Sequence, residues 1–313
     1  MKKILIFFVF LLFLTIASTY IFIPAKIRIS KSVTINANKN ALYRKLVIAE
    51  SWGEWWPENQ KLTDTTNVYA IKGMRFYPGD PKVISLPVAI KSANLSGSSE
   101  ITFIPLGIDS TILQYDVSIP TSNNPIKRIA VYFKSKELDK QFSTILTSIN
   151  TIYSSTRNLY NYDIQKKRVV DSALIFTSKE MKGIPDINSI YSLIDKLRDY
   201  IRKNAAKETG SPMLNIFKKD SSSYLVKVAI PVDKKLPSSG NISYRWMLGG
   251  GNILVTEVKG GQSEIDNAIK QILNYISDYK RIAPAIPFES LVTDRRKEKD
   301  SNKWVTRIYY PVM

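Results

Sequence analysis

The 313-residue chain contains no cysteine and no histidine. These two absences remove disulfides, thiolate nucleophiles, thiolate and imidazole metal ligands, and imidazole as a general base. Most familiar hydrolytic machinery goes with them, and neither a metal nor a cofactor is expected. The remaining acid–base groups are carboxylates, tyrosines and lysines. A chain without thiols fits either redox compartment. Acidic residues are also scarce, 27 Asp and Glu against 45 Lys and Arg, for a formal charge of +18. The lysines are spread along the chain among many Ile, Asn and Ser, without a basic stripe or a helix-turn-helix pattern, so nucleic acid is not the expected partner.

What is present begins with an apolar run. From Ile4 to Ala25 no residue is charged, long enough for a helix across the roughly 30 Å hydrocarbon core. A cleaved signal peptide usually has an apolar region of about 7–15 residues followed by small residues. Here Ile16-Ala17-Ser18 is a poor cleavage site and hydrophobicity resumes at Tyr20. Residues 4–25 are therefore expected to be a retained single-pass anchor in a bacterial cell membrane. Lys2 and Lys3 favour an inside N-terminus and the bulk of the chain lies outside the cytoplasm, since long domains translocate largely regardless of charge.

Beyond the anchor, Ile27–Ile35 alternates apolar and polar with the period of a half-buried strand, and Ala41–Val47 reads as a short helix behind the turn residues 36–40. Trp52-Gly53-Glu54-Trp55-Trp56-Pro57 follows, and then β-rich runs to Ile119 suggest an antiparallel sheet. A helix is expected from Ser135 to about Arg157, with Leu138, Phe142, Ile145, Leu146, Ile149, Ile152 and Tyr153 on one stripe. A polar stretch near 158–167 marks a boundary. Past it the order strand, helix, strand, strand occurs twice, over 169–232 and 253–312. The closest match is Tyr224–Val232 against Trp304–Val312, where aromatic, basic, apolar and Pro-Val positions coincide without a gap. The chain is thus divided into an anchor (1–25), a first domain (26–158), a linker (159–166) and a second domain (167–313). The charged runs Asp294–Asp300 and Lys218–Ser223 read as solvated hairpin loops. Gly249-Gly250-Gly251 lacks the Lys-Ser/Thr of a phosphate loop and reads as a flexible approach to the next strand.

Residues 26–158 resemble the SRPBCC (START-like, polyketide-cyclase-like) superfamily. The features that carry this are the opening strand through Ser32-Val33-Thr34-Ile35, the Trp cluster, Asn124-Pro125-Ile126-Lys127-Arg128 and the long last helix. The resemblance implies a helix-grip fold, a curved antiparallel sheet wrapped round its C-terminal helix, and ligand or lipid binding. Trp52, Trp55 and Trp56 are then either corner packing or ligand-stacking residues.

Residues from about 165 to 313 resemble the GyrI-like, AraC-effector-binding small-molecule domain, through Gly260-Gly261-Gln262-Ser263-Glu264-Ile265, Pro287-Phe288-Glu289 and Trp304–Val312. A pseudo-symmetric duplicated β-α-β-β architecture is implied, and the overall class is α+β with one N-terminal transmembrane helix. Many relatives carry a pocket glutamate where Arg307 stands, so the resemblance with its charge reversed points to a small apolar or anionic ligand. Strand alternation places Val226, Val228 and Ile308 on the helix-covered face and Lys227, Arg307 and Tyr309 on the other. Glu257 and Glu289 complete the ligand-binding candidates. No catalytic residue is assigned, and an enzyme is not the expected class. A membrane-anchored sensor or carrier is the first reading. A hydrolase or isomerase using carboxylate and Tyr groups, and a structural envelope protein with filled cavities, are the alternatives.

Overall fold

The computed structural model describes residues 2–57, 61–63, 66–93 and 95–313. The chain is a mixed α+β protein divided into two compact units, Met1–Leu159 and Tyr160–Met313, each built on one antiparallel sheet.

The first unit begins with helix α1 (Lys2–Phe22). Its Thr15, Ser18 and Thr19 hydroxyls donate back to the carbonyls of Leu12, Thr15 and Thr15 at 2.7–2.9 Å, which satisfies polar groups inside an apolar helix. Side chains such as Phe7, Phe8, Phe10, Leu12 and Phe13 are exposed. Among the described residues no helix is long and apolar enough to cross a membrane.

Strand β1 (Lys26–Ile35), helix α2 (Lys39–Leu46) and a 3-10 turn over Ala49–Glu54 come next. Strands β2 (Lys61–Thr63), β3 (Thr66–Ile71), β4 (Met74–Pro78), β5 (Ser85–Ser92), β6 (Leu95–Leu106) and β7 (Ser110–Pro120) then run as a meander into helix α3 (Pro125–Tyr153). The sheet order is β1-β7-β6-β5-β4-β3-β2, because β1 returns to pair with β7 from Lys26↔Pro120 to Ile35↔Thr111. Helix α3 lies on β1 and β7, and its Phe142 ring meets Tyr115 at 4.2 Å and Phe76 at 6.5 Å.

Helix α3 starts ten residues before the expected Ser135. Asn124 caps it by accepting from the Lys127 N–H at 3.1 Å, and Pro125 occupies the first turn, where its missing N–H costs nothing. Ser135 is an interior residue, its hydroxyl bonded back to Tyr132. The apolar stripe misleads because Ile126, Ile129 and Phe133 are exposed and so add nothing to it.

The second unit holds strands β8 (Gln165–Arg168) and β9 (Ser172–Lys182), helix α5 (Ile187–Lys203), and strands β10 (Met213–Lys218), β11 (Ser223–Val232), β12 (Ile242–Met247) and β13 (Asn252–Lys259). Helix α6 (Gln262–Asp278) and strands β14 (Phe288–Leu291) and β15 (Val305–Val312) complete it, and the short helix α4 (Thr156–Tyr160) precedes β8. The sheet order is β12-β9-β11-β10-β14-β15-β13-β8. Two β-α-β-β runs, β9-α5-β10-β11 and β13-α6-β14-β15, meet where β10 pairs with β14. The two matching nonapeptides fall on β11 and β15, with Trp304 just ahead of β15. Helix α5 buries Ile190, Leu193, Ile194, Leu197 and Ile201 over Val226, Val228 and Ile230, each such side chain contributing about 1.5–3 kcal/mol of transfer free energy.

The segment assigned to a linker is partly built into this unit. Tyr160 is buried and its hydroxyl donates to Asp278 at 2.8 Å, Ile164 is buried, and β8 pairs with β13. Paired sheet backbone resists a protease, so within this segment trypsin is expected to spare Lys166 and Lys167 and to cut at exposed Arg157, in the single-turn helix α4. N-terminal sequencing of the fragments, with Asn158 as the new terminus, checks this.

Candidate functional site

In the second unit, strand alternation sorts the candidate residues onto two faces. On β14, Glu289 stands opposite Leu214 and Ile308, on the face that carries α5 and α6. Its neighbours Phe288 and Ser290 point the other way, where Ser290 stands opposite Met213 and Arg307.

That other, helix-free face is concave. Met247 of β12 and Arg168 of β8, from opposite edges of the sheet, line the same cavity of about 430 Å³. The edges are tied through the loops that follow them. The Gly250 N–H donates to the Val169 carbonyl at 2.9 Å, Val169 N–H to Gly251 at 2.8 Å, and Gly249 N–H to the Asp171 carboxylate at 2.7 Å. Glycine is needed at 249, where a Cβ would meet Asp171 N at 3.0 Å, and at 250, where φ is +85°. The expected flexible approach is thus a close-packed junction.

Three cations, Lys167, Arg168 and Arg307, line this cavity, and no carboxylate does among the described residues. Phe288 and Tyr309 line it too, stacked at 4.8 Å and 9°. Arg168 donates to the Gly250 carbonyl at 2.6 Å, and Arg307 pairs with Glu257, opposite it on β13, at 2.9 Å. Both partners of that ion pair are about half exposed, so it contributes little, and Arg307 keeps donors for an incoming anion. Lys227, the counterpart of Arg307 in the first repeat, shares the face but is not among the residues lining the cavity.

The opposite face holds a larger cavity of about 650 Å³, between α5 and α6 and floored by β10, β14 and β15. Glu289 lies in it beside Arg295, whose guanidinium donates to Glu289 Oε2 at 3.3 Å and to Thr306 Oγ1 at 3.0 Å, and sits 5.1 Å from the Trp304 ring centre. The Arg295 backbone N–H also donates to the Tyr191 hydroxyl at 2.8 Å. Burial raises the Glu289 carboxyl above its ordinary value, against the downward pull of Arg295. Arg295 belongs to the run expected to be a solvated loop, yet it is buried. Tyr191 and Thr306 hold it in, and nothing in Asp294–Asp300 taken alone signals that.

Trp52, Trp55 and Trp56 are in the core of the first unit. Trp52 stacks on Trp56 at 5.6 Å and 10°, with Tyr69 at 5.5 Å. The Trp52 and Trp56 indoles donate to the Leu46 and Ala70 carbonyls at 2.7 Å. The structure therefore brings Arg307, Tyr309 and Glu257 together, sets Glu289 on the opposite face, and leaves the three tryptophans in another unit.

No family profile and no curated protein matches the chain. Among solved structures it is similar to the EcmrR C-terminal domain, at 22% identity and a TM-score of 0.41 over 49% of this chain and 98% of that one. A hydrolase from Listeria innocua matches at 12% and 0.36 over 57% and 98%. The Zhui aromatase/cyclase from Streptomyces matches at 10% and 0.29 over 40% and 92%. At such values no residue role passes from these proteins to this one.

Proposed function

We propose that the protein is a membrane-anchored small-molecule sensor or carrier whose second unit takes a small apolar or anionic ligand on the open face of its sheet. One observation carries this reading: Lys167, Arg168 and Arg307 surround a cavity whose described lining has aromatic rings and no carboxylate. A planar acid would lay its ring against Tyr309 and Phe288 and accept hydrogen bonds from Arg307. The duplicated element order supports a GyrI-like second unit, and the β1-to-β7 closure with its long helix supports a helix-grip first unit. The uncharged run 4–25, exposed along α1, supports an anchor in a bacterial cell membrane with the bulk of the chain outside the cytoplasm.

The ligand reading is tested by calorimetric titration of the detergent-purified protein with 2-naphthoate and with 2-naphthylmethylammonium. A charge at about 4 Å contributes about 1–4 kcal/mol between water-like and surface-like dielectric, so the acid is expected to bind on the order of tenfold tighter. Arg307→Glu should reverse the order, and Glu257→Gln, which frees the guanidinium, should tighten the acid. Tighter binding of the ammonium compound, unimproved by Arg307→Glu, contradicts the reading. For the anchor, the full chain should stay with membranes until detergent is added and a variant lacking residues 2–22 should not; equal release of both rules the anchor out.

A further inference from the structure

We infer that the first turns of α3 lie in the headgroup layer of an anionic bilayer, with Ile126, Ile129 and Phe133 turned to the acyl chains. This deepens the anchor reading and rests on it. Ile126, Ile129, Ala130 and Phe133 follow the spacing i, i+3, i+4, i+7, so they share one side of α3, and all four are exposed. Ile126 and Phe133 are 77% and 67% exposed. The buried positions Arg128, Val131 and Ser135 lie on the opposite side. Past Phe133 the exposed side continues with Glu137, Lys140 and Thr144, so the apolar patch covers about two turns. A contiguous apolar patch of this kind marks an interaction surface, where a single exposed isoleucine would not.

What covers the patch follows from how α1 is joined to it. The Arg128 guanidinium donates twice to the Ile23 carbonyl, at 2.9 and 2.5 Å, and lies 4.8 Å from the Tyr20 ring centre. The Tyr20 hydroxyl donates to the Asn123 carbonyl. Thr121 donates through its N–H to Ala25 at 2.9 Å and through its hydroxyl to Pro24 at 2.8 Å. The end of α1 and the start of α3 thus form one fixed joint, and a bilayer that takes up the exposed apolar side chains of α1 reaches the patch on α3. Cations surround it. Lys127 and Lys136 flank the patch on α3, and Lys26 and Arg28 are exposed at the start of β1, beside the joint. Such side chains lay their stems along apolar surface while the charge reaches lipid phosphate, as in an interfacial amphipathic helix on anionic lipid. A second copy of the chain seated there would bring like charges together, which favours lipid over self-association.

The chain has no cysteine, so Phe10→Cys, Ile126→Cys, Phe133→Cys and Thr147→Cys each accept a single nitrobenzoxadiazole label. The full-length protein is reconstituted into vesicles of phosphatidylcholine and phosphatidylglycerol that include lipids with nitroxides at shallow and deep positions of the acyl chain. Labels at Ile126→Cys and Phe133→Cys are expected to be quenched about threefold more than the one at Thr147→Cys, an exposed position about four turns further along α3. Adding Lys127→Glu with Lys136→Glu should cut that quenching by about half and leave the Phe10→Cys label unchanged. Quenching at Ile126→Cys and Phe133→Cys no stronger than at Thr147→Cys, with Phe10→Cys quenched, overturns this inference and leaves the anchor standing. If no label is quenched, both fall. A Phe133→Cys label that is shielded from water yet unquenched, and becomes water-exposed when the protein is diluted into excess lipid, identifies a second copy of the chain as the occupant and overturns the lipid assignment.

Discussion

Arg295→Ala is expected to destabilise the second unit by about 3–5 kcal/mol, the usual cost of removing one partner of a buried ion pair. The guanidinium leaves behind Glu289, the Thr306 hydroxyl and the Trp304 ring, all of which it contacts. For a unit of this size the loss corresponds to a fall in Tm on the order of 10 °C. The pH dependence carries a definite sign. The folded Glu289 carboxyl already holds its proton above the ordinary value of 4.5, so in the window just above 4.5 the folded state binds more protons than the unfolded one. Stability attributable to this group therefore falls as pH rises through the window. Without Arg295 the carboxyl is pushed higher still, and the variant should lose less stability at pH 5 than at pH 8. Replacing both residues together, as Glu289→Leu with Arg295→Met, should cost less than Arg295→Ala alone. A pH-independent loss, or a double variant worse than the single one, would mean that the pair is not what holds this cavity together. Thermal unfolding followed by circular dichroism at the two pH values provides the readout.

Trp52→Ala is expected to cost the first unit about 3–5 kcal/mol, as large-to-small core substitutions do. The ring is fully buried, packs on Trp55, Trp56 and Tyr69, and its indole satisfies the Leu46 carbonyl. Trp246→Ala, at a half-exposed position, should stay within about 0.5 kcal/mol. A finer contrast lies inside the cluster. Trp52→Phe strands a carbonyl, whereas the Trp55 indole N–H is buried without a partner among the described residues, so Trp55→Phe should cost less than Trp52→Phe. Urea unfolding followed by circular dichroism measures all four. If Trp52 instead served a ligand, truncating it would leave the unliganded stability nearly unchanged.

The division of the second sheet into two faces was legible because the side-chain period of a strand is two: alternation alone separates Ile308 from Arg307 and Tyr309, and the matching nonapeptides fall on β11 and β15. What alternation along one strand does not reveal is the partner strand. Glu257 and Glu289 both read as strand carboxylates, and only the register shows that one faces Arg307 and the other lies across the sheet beneath α6. Strand β12 went unseen because Ile242–Met247 exposes Arg245 and Trp246 at a sheet edge and shows no clean apolar alternation. Arg295 was missed for a different reason. Its neighbours Asp294, Arg296 and Lys297 make a charged run, and burial of one member depends on Tyr191 and Thr306, about 104 and 11 residues away. Helix α3 carries its start signal at Asn124-Pro125, but ahead of Leu138 only Val131 among its apolar residues is buried, so the apolar stripe is too sparse there to mark the helix.

Photolabelling of the full-length protein with 4-azidobenzoate, followed by peptide mapping, locates an anionic ligand directly. Labels on peptides that carry Met213, Met247 or Tyr309, lost in Arg307→Glu, are the expected result. Labels confined to the first unit, or to α5 and α6 on the far side of the sheet and indifferent to Arg307, would contradict an anion site on the open face.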